Sequence, residues 1–365
     1  MEKKLLFFMP FIGGGGVEKN LFIIANYFSK KISNIYILSS SDKYKFKFDK
    51  NINFISPKKN INENVNIKLK YLISLCYLFL FLIKNRQTVV FSFQANIYAI
   101  ILCKLLGIKI IARSNSSPEG WYHNWIKKFI YSKIINLADL VIVNSNIFKI
   151  QMEKKFGIKP KCIFNPLDKK QIILKSKSKI KKIPFKKGEL KILNIGRLTD
   201  QKDQITLVKM AKILNSKKIK FKLIIMGRGI ERDNLTKEIN NQKLNNFVRL
   251  IPFQHNPYPY IKKCDLFVLS SKYEGLPNVL LEAALLNKFI ISTNCPTGPK
   301  EILLNGKGGL LFKIGDYKDL ARKIIYFKKN KIDSKKIKKI NYSNLSRFDY
   351  LTNLEKYYKS ITSFL

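Results

Sequence analysis

The feature of the sequence that most limits its fold is an alternation of short apolar runs with longer segments of helical spacing. The run Leu5 to Ile12 is followed by the helical pattern Val17 to Ser29, and the series continues as far as Leu140 to Asn144. The same alternation restarts at Lys191 to Ile195 and continues to Phe289 to Thr293. Strands that alternate with helices pair in parallel. The sequence therefore predicts two α/β units, each a doubly wound parallel sheet.

The boundary between the two series is a Lys-rich, weakly patterned segment that contains Pro184 and is typical of a linker. We predict an N-terminal domain at 1–168, a linker at 169–189, a second domain at 190–341 and a closing helix at 342–365 that returns toward the N-terminal domain. Doubly wound sheets bind ligands at the carboxyl ends of their strands. We therefore expect two domains that face each other across a cleft, with one reactant held by each.

The net charge of the chain is +45, which favours an anionic partner such as nucleic acid, anionic lipid or a phosphorylated substrate. The lysines are spread along the whole chain, so compositional drift toward Lys, Asn and Ile explains the charge equally well. The sequence has no aromatic-basic stacking motif and no pattern of a groove-reading helix. We therefore expect association with an anionic membrane and no specific nucleic acid.

The five cysteines are dispersed, and no two of them stand at the spacing of a zinc site or a redox motif. This pattern is typical of reduced thiols in a cytoplasmic protein. The chain has two histidines, which excludes a histidine-rich metal site. The start resembles a signal peptide, but glycines 13–16 replace a cleavage site, so we predict a buried first strand there.

The longest apolar run, Tyr71 to Ile83, is too short to cross a bilayer as a helix. It fits a core helix, which we favour, or a helix that dips into the membrane interface. Together with the high positive net charge, this apolar run predicts a cytoplasmic protein held peripherally at the inner face of the cell membrane.

The most informative motif follows a predicted buried strand and contains Glu274 in a loop, Pro277 at the start of a helix and Glu282 within that helix. The unpaired amides of a first helical turn bind anions and sugar oxygens, and carboxylates accept hydrogen bonds from sugar or ribose hydroxyls. A helix cap and a surface glutamate would also explain the two carboxylates.

A second motif, at 194–203, places Arg197 after a predicted strand and Lys202 before a predicted helix. Two such cations can stabilise the charge that grows on a departing diphosphate in place of a metal ion. Lys202 alone also fits an ordinary surface charge. A third motif, Gly13 to Glu18, lies between the first strand and the first helix. Its glycines allow a close approach of the backbone to a phosphate, or form a flexible turn.

Together these motifs resemble the retaining glycosyltransferases of family 4, which have the GT-B fold of two facing Rossmann-like domains. The spacing of Glu274 and Glu282 resembles the Glu-x7-Glu signature of that family. The resemblance implies that Glu274 lies near the donor sugar, that Glu282 holds the nucleotide ribose and that Arg197 and Lys202 bind the pyrophosphate. It implies a wider set of donor-binding residues, which are Gly15, Gly16, Gly227, Gly275, Leu276, Asn278 and Val279.

Weaker likenesses follow the order of that family at Val143 to Ser145, Asn165 to Asp168, Met226 to Gly229 and Thr297 to Ile302. Many relatives have a histidine near the transferred sugar in the first domain. In this chain the corresponding regions carry other residues, and we predict acceptor contacts from Arg113, Asn115 and His123. His123 has no motif around it and also fits a partly exposed loop histidine without a ligand.

The resemblance implies transfer with retention, from a nucleotide diphosphate sugar that serves as co-substrate to a glycan or lipid-linked acceptor, with no metal required. Arg197, Lys202 and Glu274 are the predicted catalytic residues. Two alternatives remain open at this point: a GT-B nucleotide-sugar epimerase or hydrolase, and a basic nucleic-acid-binding protein.

Overall fold

The computed structural model describes residues 3–57, 66–115, 125–180 and 185–365. The chain divides into two compact units. Unit 1 is Met1–Pro166 together with Tyr350–Leu365, and unit 2 is Leu167–Asp349.

The described part of unit 1 contains a seven-stranded sheet of order β3-β2-β1-β4-β5-β6-β7, in which every pairing is parallel. Helices connect most successive strands, as the alternation predicts. The strands are β1 (Lys4–Phe8), β2 (Ile35–Leu38), β3 (Asn53–Ile55), β4 (Thr88–Ser92), β5 (Lys109–Ser114), β6 (Leu140–Val143) and β7 (Lys161–Cys162). The helices are α1 (Gly16–Phe28), α2 (Ile67–Lys84), α3 (Asn96–Leu105), α4 (Trp125–Asn136) and α5 (Asn146–Phe156).

The described part of unit 2 contains a six-stranded parallel sheet of order β10-β9-β8-β11-β12-β13. Its strands are β8 (Leu190–Ile195), β9 (Phe221–Met226), β10 (Val248–Ile251), β11 (Leu266–Leu269), β12 (Phe289–Thr293) and β13 (Leu310–Phe312). Its helices are α6 (Lys169–Ser176), α7 (Gln204–Ser216), α8 (Arg232–Asn241), α9 (Tyr258–Lys263), α10 (Asn278–Leu285), α11 (Gly298–Ile302), α12 (Tyr317–Lys329) and α13 (Lys331–Ser343).

Strand β1 shows why the sheet of unit 1 is covered on both faces. Successive side chains of a strand point to opposite faces. Leu5 and Phe7 pack in one hydrophobic core and Leu6 and Phe8 in another, and all four are fully buried. The core of Leu5 contains α1, whereas the core of Leu6 contains α2, α3, α4 and α5. A strand buried on both faces is a continuous apolar run, which is the pattern of the predicted first strand.

The chain end forms helix α14 (Tyr350–Thr362), which belongs to unit 1. Leu354, Tyr357 and Ile361 of this helix are buried in the same core as Leu5. The predicted closing helix at 342–365 therefore starts later than expected, since α13 ends at Ser343 and a 3₁₀ turn at Asn344–Phe348 precedes α14.

The segment predicted as a linker is helical over its first part. Asp168 caps α6 by accepting a hydrogen bond from the Gln171 amide at 2.9 Å, and Ile172 is fully buried. Helix α6 packs on α9, where Asn256 Nδ2 donates to the Lys175 carbonyl at 3.0 Å. The linker prediction is therefore wrong over α6. The local sequence does not indicate this helix, because the residues that cover it lie far away in the sequence. Residues 181–184 lie outside the described residues.

Candidate active site

The pairing of β8 with β11 brings two of the sequence motifs to one edge of the sheet of unit 2. The strands are parallel neighbours, so the loops that follow them leave from the same edge. The Lys272 amide donates to the Gln201 carbonyl at 2.8 Å, and Gln201 Nε2 donates to the Tyr273 carbonyl at 2.9 Å. The loop after β8 and the loop after β11 are therefore held directly together.

An ion pair between Lys202 and Glu274 lies where these two loops meet. Lys202 Nζ donates to Glu274 Oε1, and Ser271 Oγ donates to the same oxygen at 2.6 Å. The side chains of Lys202 and Glu274 are 14% and 8% exposed. A charge so poorly hydrated is stable only when it is paired and hydrogen-bonded. Two of the three predicted catalytic residues thus fix each other in place.

Arg197 belongs to the same loop as Lys202 and is exposed. Its NH2 donates to Gln201 Oε1 at 3.2 Å, and its carbonyl accepts from Gln204 Nε2 at 2.9 Å. Gln201 therefore contacts both the guanidinium of Arg197 and the loop of Glu274. This edge of the sheet combines a partly buried ammonium with a solvent-accessible guanidinium, an arrangement suited to binding a phosphate-rich ligand.

The loop that contains Gly275 and Leu276 leads into α10, which starts at Asn278 after Pro277 at the N-cap. Pro277 makes no side-chain cap, so the first amides of the helix have no capping oxygen from that residue. The predicted donor contacts Asn278 and Val279 lie in this first turn and are half-buried. The N-terminus of α10 thus follows Glu274 within the same loop.

Two further carboxylates are buried on nearby elements. Glu282 lies in the second turn of α10 and is 4% exposed. Glu301 lies in α11 at 7% exposure, and its Oε1 is 3.9 Å from Arg347 NH1. The burial of Glu282 argues against the surface-glutamate interpretation.

Gly227 has a packing role that the sequence did not reveal. A Cβ atom at this position would overlap the carbonyl oxygen of Gly196, so only glycine fits. Nearby, the Leu198 amide donates to the Arg228 carbonyl at 2.8 Å. Gly227 therefore allows the turn after β9 to lie against the loop that contains Arg197 and Lys202.

The turn before α11 supports the Glu274 loop in the same way. Thr297 Oγ1 donates to the Glu274 carbonyl at 2.5 Å, and the Gly298 amide donates to the Gly275 carbonyl at 2.8 Å. A Cβ at Gly298 would overlap that same carbonyl oxygen. The sequence motifs do not indicate that Ser271 and Thr297 support Glu274, although Thr297 begins one of the segments that resemble the family.

Burial changes the titration of two groups beside the site. Burial, with a smaller contribution from the Glu274 carboxylate, raises the pKa of the Cys295 thiol to about 12. Burial also raises the pKa of Asp203, which accepts a hydrogen bond from Thr206 Oγ1 at 2.7 Å. Cys295 is therefore a neutral thiol at neutral pH and is not an activated nucleophile.

Three buried oxygens near the loop after β8 have no hydrogen-bond partner among the described residues: Asn194 Oδ1, Thr199 Oγ1 and Gln204 Oε1. Buried polar atoms are normally satisfied by protein, water or ligand. Hydrogen-bonding capacity thus remains unused at this edge of the sheet.

The glycine motif lies in unit 1, between β1 and α1. Glu18 is buried and turns back on its own loop, where Oε1 accepts from the Gly13 amide at 3.2 Å. Gly15 is the N-cap of α1 and Gly16 its first residue, and a Cβ at Gly15 would lie 2.9 Å from Glu18 Oε2. The carboxylate therefore fixes the shape of the loop.

Arg113 is fully buried at the end of β5, which corrects its predicted contact with an acceptor. Its Nε donates to Tyr357 Oη at 3.0 Å, its NH2 donates to Asn165 Oδ1 at 2.7 Å, and its NH1 donates to Asn115 Oδ1. A guanidinium enclosed in this way supports the structure of unit 1 and does not reach a ligand. Asn115 remains half-buried next to it, and His123 lies outside the described residues.

Among the described residues, no group of three or more His, Cys, Asp or Glu side chains is arranged to hold a metal ion. Within the same part of the chain, every helix is too short or too polar to span a bilayer.

The chain is similar in sequence and in fold to known glycosyltransferases. Residues 175–344 match the model of the family described as glycosyl transferases group 1. An uncharacterised glycosyltransferase of Methanocaldococcus jannaschii is 38% identical over 190 residues, and the alignment spans 48% of this chain and 47% of the relative.

A relative that aligns over most of its length comes from Campylobacter jejuni. It is an N-acetylgalactosamine-N,N'-diacetylbacillosaminyl-diphospho-undecaprenol 4-alpha-N-acetylgalactosaminyltransferase, and the two chains are 26% identical over 86% of each. Among solved structures, Alr3699/HepE from Anabaena in complex with UDP-glucose superposes with a TM-score of 0.80 at 17% identity, over 99% of this chain and 100% of that chain. The chain therefore has the GT-B fold of glycosyltransferases, and its residues 175–344 match the family of glycosyl transferases group 1.

Proposed function

We propose that the protein is a retaining glycosyltransferase of family 4 that moves a hexose or an N-acetylhexosamine from a UDP-sugar to a glycan or lipid-linked acceptor in envelope polysaccharide or glycoconjugate synthesis. The observation that carries this proposal is the convergence of Arg197, Lys202 and Glu274 at one edge of the sheet of unit 2.

Arg197 and Lys202 bind the diphosphate of the donor. Negative charge grows on the leaving diphosphate as the glycosidic bond to the sugar breaks, and fixed cations in a poorly hydrated site stabilise that charge. Lys202 is already fixed by Glu274 and does not have to be ordered during the reaction. Exposed Arg197 is accessible to a ligand before it binds. With two cations in these positions, we propose that transfer needs no metal ion.

Glu274 orients the sugar, and Glu282 accepts a hydrogen bond from the ribose of the nucleotide. The loop amides after Glu274 and the first turn of α10 bind donor oxygens. Ser271 and Thr297 keep Glu274 and its carbonyl in position, so most of the catalytic effect of this loop comes from positioning.

Retention follows from a front-face reaction, in which a phosphate oxygen of the donor receives the proton of the acceptor hydroxyl. The new bond joins the acceptor oxygen to the anomeric carbon while the bond from that carbon to the diphosphate breaks. The protein then supplies no nucleophile.

Two relatives support the choice of donor and acceptor. The structure of Alr3699/HepE contains UDP-glucose, which supports a UDP-sugar donor. The name of the C. jejuni enzyme specifies a sugar-diphospho-undecaprenol acceptor and an alpha linkage, which supports a lipid-linked acceptor here.

The test is a transfer assay with purified protein, a panel of UDP-sugars and a polyprenyl-diphosphate-linked sugar, in the presence and absence of a metal chelator. We expect Glu274→Ala and Arg197→Ala to abolish transfer and to leave the circular dichroism spectrum unchanged. Arg249→Ala, which removes another exposed cation of unit 2 on β10, is the matched control and should remain active. Full activity of either site variant would refute the assignment, and rapid epimerisation or hydrolysis of the donor without acceptor would refute transfer.

A further inference from the structure

Helix α2 has an outward face that is more apolar than its buried face. Its buried stripe consists of Lys70, Ser74, Leu78 and Leu82. Its exposed stripe, at helical spacing on the other side, consists of Leu69, Leu72, Cys76, Phe79, Leu80 and Ile83. Leu72 is 58% exposed and Leu80 52%. An ordinary surface helix has the reverse distribution. The expectation that Tyr71 to Ile83 is a core helix is therefore correct for one stripe and wrong for the opposite one.

Helices α3 and α4 extend this apolar surface. Both helices share a core with α2 on one face of the sheet of unit 1, and α3 packs against both α2 and α4. Leu105 of α3 is 80% exposed, and Trp125 and Phe129 of α4 are 77% and 57% exposed. Soluble monomeric proteins rarely expose so many neighbouring large apolar side chains unless the surface binds something.

The charges on these three helices all have one sign. Their sequences contain no Asp or Glu. Exposed lysines lie at both ends of α2, as Lys68 and Lys84, and along α4, as Lys127 and Lys133. We call the exposed side chains of α2, α3 and α4 the apolar-basic face.

We propose that the apolar-basic face docks unit 1 onto the surface of an anionic lipid bilayer. Exposed apolar side chains enter the boundary between headgroups and acyl chains, while lysines at the helix ends and between the apolar residues bind phosphate headgroups. An exposed indole such as that of Trp125 suits the membrane interface, because one part of the ring is apolar and its N–H is polar.

The charge pattern argues against a second copy of the chain as the occupant. A two-fold dimer buries the same patch of both protomers against itself. The apolar-basic face would then bring its lysines close to those of the partner copy, and its helices contain no carboxylate to offset them. A bilayer that contains anionic lipid supplies both the apolar layer and the opposite charge.

The first test is flotation of the full-length protein with vesicles of phosphatidylcholine containing phosphatidylglycerol. We expect the variant Leu72→Gln, Phe79→Gln, Leu80→Gln to bind these vesicles at least tenfold more weakly and to keep its melting temperature. The matched control replaces three exposed apolar residues of α13, α6 and α14, as Ile332→Gln, Leu174→Gln, Leu351→Gln, and should bind like the parent protein. Undiminished binding by the α2 variant would overturn the proposal.

A second test uses the two tryptophans of the chain, Trp121 and Trp125. The substitution Trp121→Phe leaves Trp125 as the sole indole. We expect its emission to shift to the blue on anionic vesicles and to be quenched by lipids brominated near the headgroup end of the acyl chain. Unchanged emission on vesicles that bind the protein would show that another surface docks, and would contradict the proposal.

Two further outcomes separate this inference from its rivals. Concentration-dependent dimerisation that the α2 variant abolishes, without vesicle binding by the parent protein, would overturn it in favour of self-association. The inference deepens the proposed function by placing its acceptor at a membrane, but vesicle binding is measured without donor or acceptor. If the α2 variant loses vesicle binding but still transfers sugar to a short, water-soluble acceptor, the result supports the inference.

Discussion

At the scale of single residues, the site depends on a charge pair that is costly to break. Lys202 and Glu274 are mostly hidden from water, and each compensates the charge of the other. Removal of one partner from a pair of this kind leaves an uncompensated charge and destabilises a protein by about 3 kcal/mol. A change in activity after a single substitution therefore needs to be separated from a change in folding.

A pair of substitutions makes that separation. We expect Lys202→Met alone to lower the free energy of unfolding by about 3 kcal/mol, since it leaves the Glu274 carboxylate without its cation. The double variant Lys202→Met, Glu274→Gln should recover most of that loss and yet transfer sugar about 100-fold more slowly than the parent or worse, because it lacks two of the groups that we assign to the donor. Urea denaturation and a transfer assay on the three proteins measure both effects. If the double variant regains activity together with stability, the pair has only a structural role.

At the scale of elements, the site depends on loops that approach one another closely at the ends of parallel strands. Gly227 shows how closely, since a methyl group there would overlap the carbonyl of Gly196. We expect Gly227→Ala to lower the stability by about 3 kcal/mol through the forced displacement of one loop. Gly196→Ala is the matched control, because the nearest side-chain atoms to its new methyl group would be those of Lys202 at 3.6 Å, an ordinary contact. Denaturant titration of both variants measures the difference, and equal stabilities would show that the loops of unit 2 can separate at little cost.

The strands and helices also show how much of the structure the sequence predicts. The alternation of apolar runs and helical segments predicts both sheets, and the order of the motifs correctly places Arg197, Lys202 and Glu274 after β8 and β11. The adjacency of those two strands does not follow from local sequence. The burial of Arg113 also escaped prediction, because its partner Tyr357 is 244 residues away. Helix α6 was missed for the same reason, since its cover comes from α9. Apolar periodicity along Tyr71 to Ile83 predicts a helix but does not specify which face is covered.

At the scale of the whole molecule, both units contain buried thiols, and burial makes their ionisation unfavourable. Burial raises the pKa of Cys103 in unit 1 and of Cys264 and Cys295 in unit 2 to about 12, from an ordinary value of 9.0. A group with a raised pKa in the folded state contributes its full stability below the unfolded pKa and loses it as pH rises toward the folded pKa. The protein should therefore lose stability between pH 9 and pH 12, and we expect the ionisation of these thiols in the unfolded state to account for part of that loss.

The variant Cys264→Ala measures that part. It should lose less stability between pH 9 and pH 11 than the parent protein does, because one buried thiol no longer ionises on unfolding. Exposed Cys76 provides the control, and Cys76→Ala should follow the parent curve. Parallel curves for Cys264→Ala and the parent protein would contradict the pKa shift.

Because the chain has two units, a test of the proposal must show which of them binds the donor. The residues that we assign to the diphosphate, the sugar and the ribose all lie in unit 2, at Arg197, Lys202, Glu274 and Glu282. A ligand that binds only the folded state stabilises it by about 2.7 kcal/mol at a concentration of 100 Kd. We therefore expect UDP to raise the melting temperature, by about 2–4 °C for each kcal/mol in a unit of this size. ADP and GDP should do so less.

Hydrogen exchange locates the effect. UDP should slow amide exchange most in the loop after β8 and in the segment from Glu274 into α10, whereas the strands of unit 1 should exchange at an unchanged rate. The variant Arg197→Ala should lose this protection together with most of the thermal shift, because it removes a ligand for the diphosphate, and the exposed control Arg249→Ala should keep both. Protection confined to unit 1, or an undiminished shift in Arg197→Ala, would place the nucleotide elsewhere and refute the site.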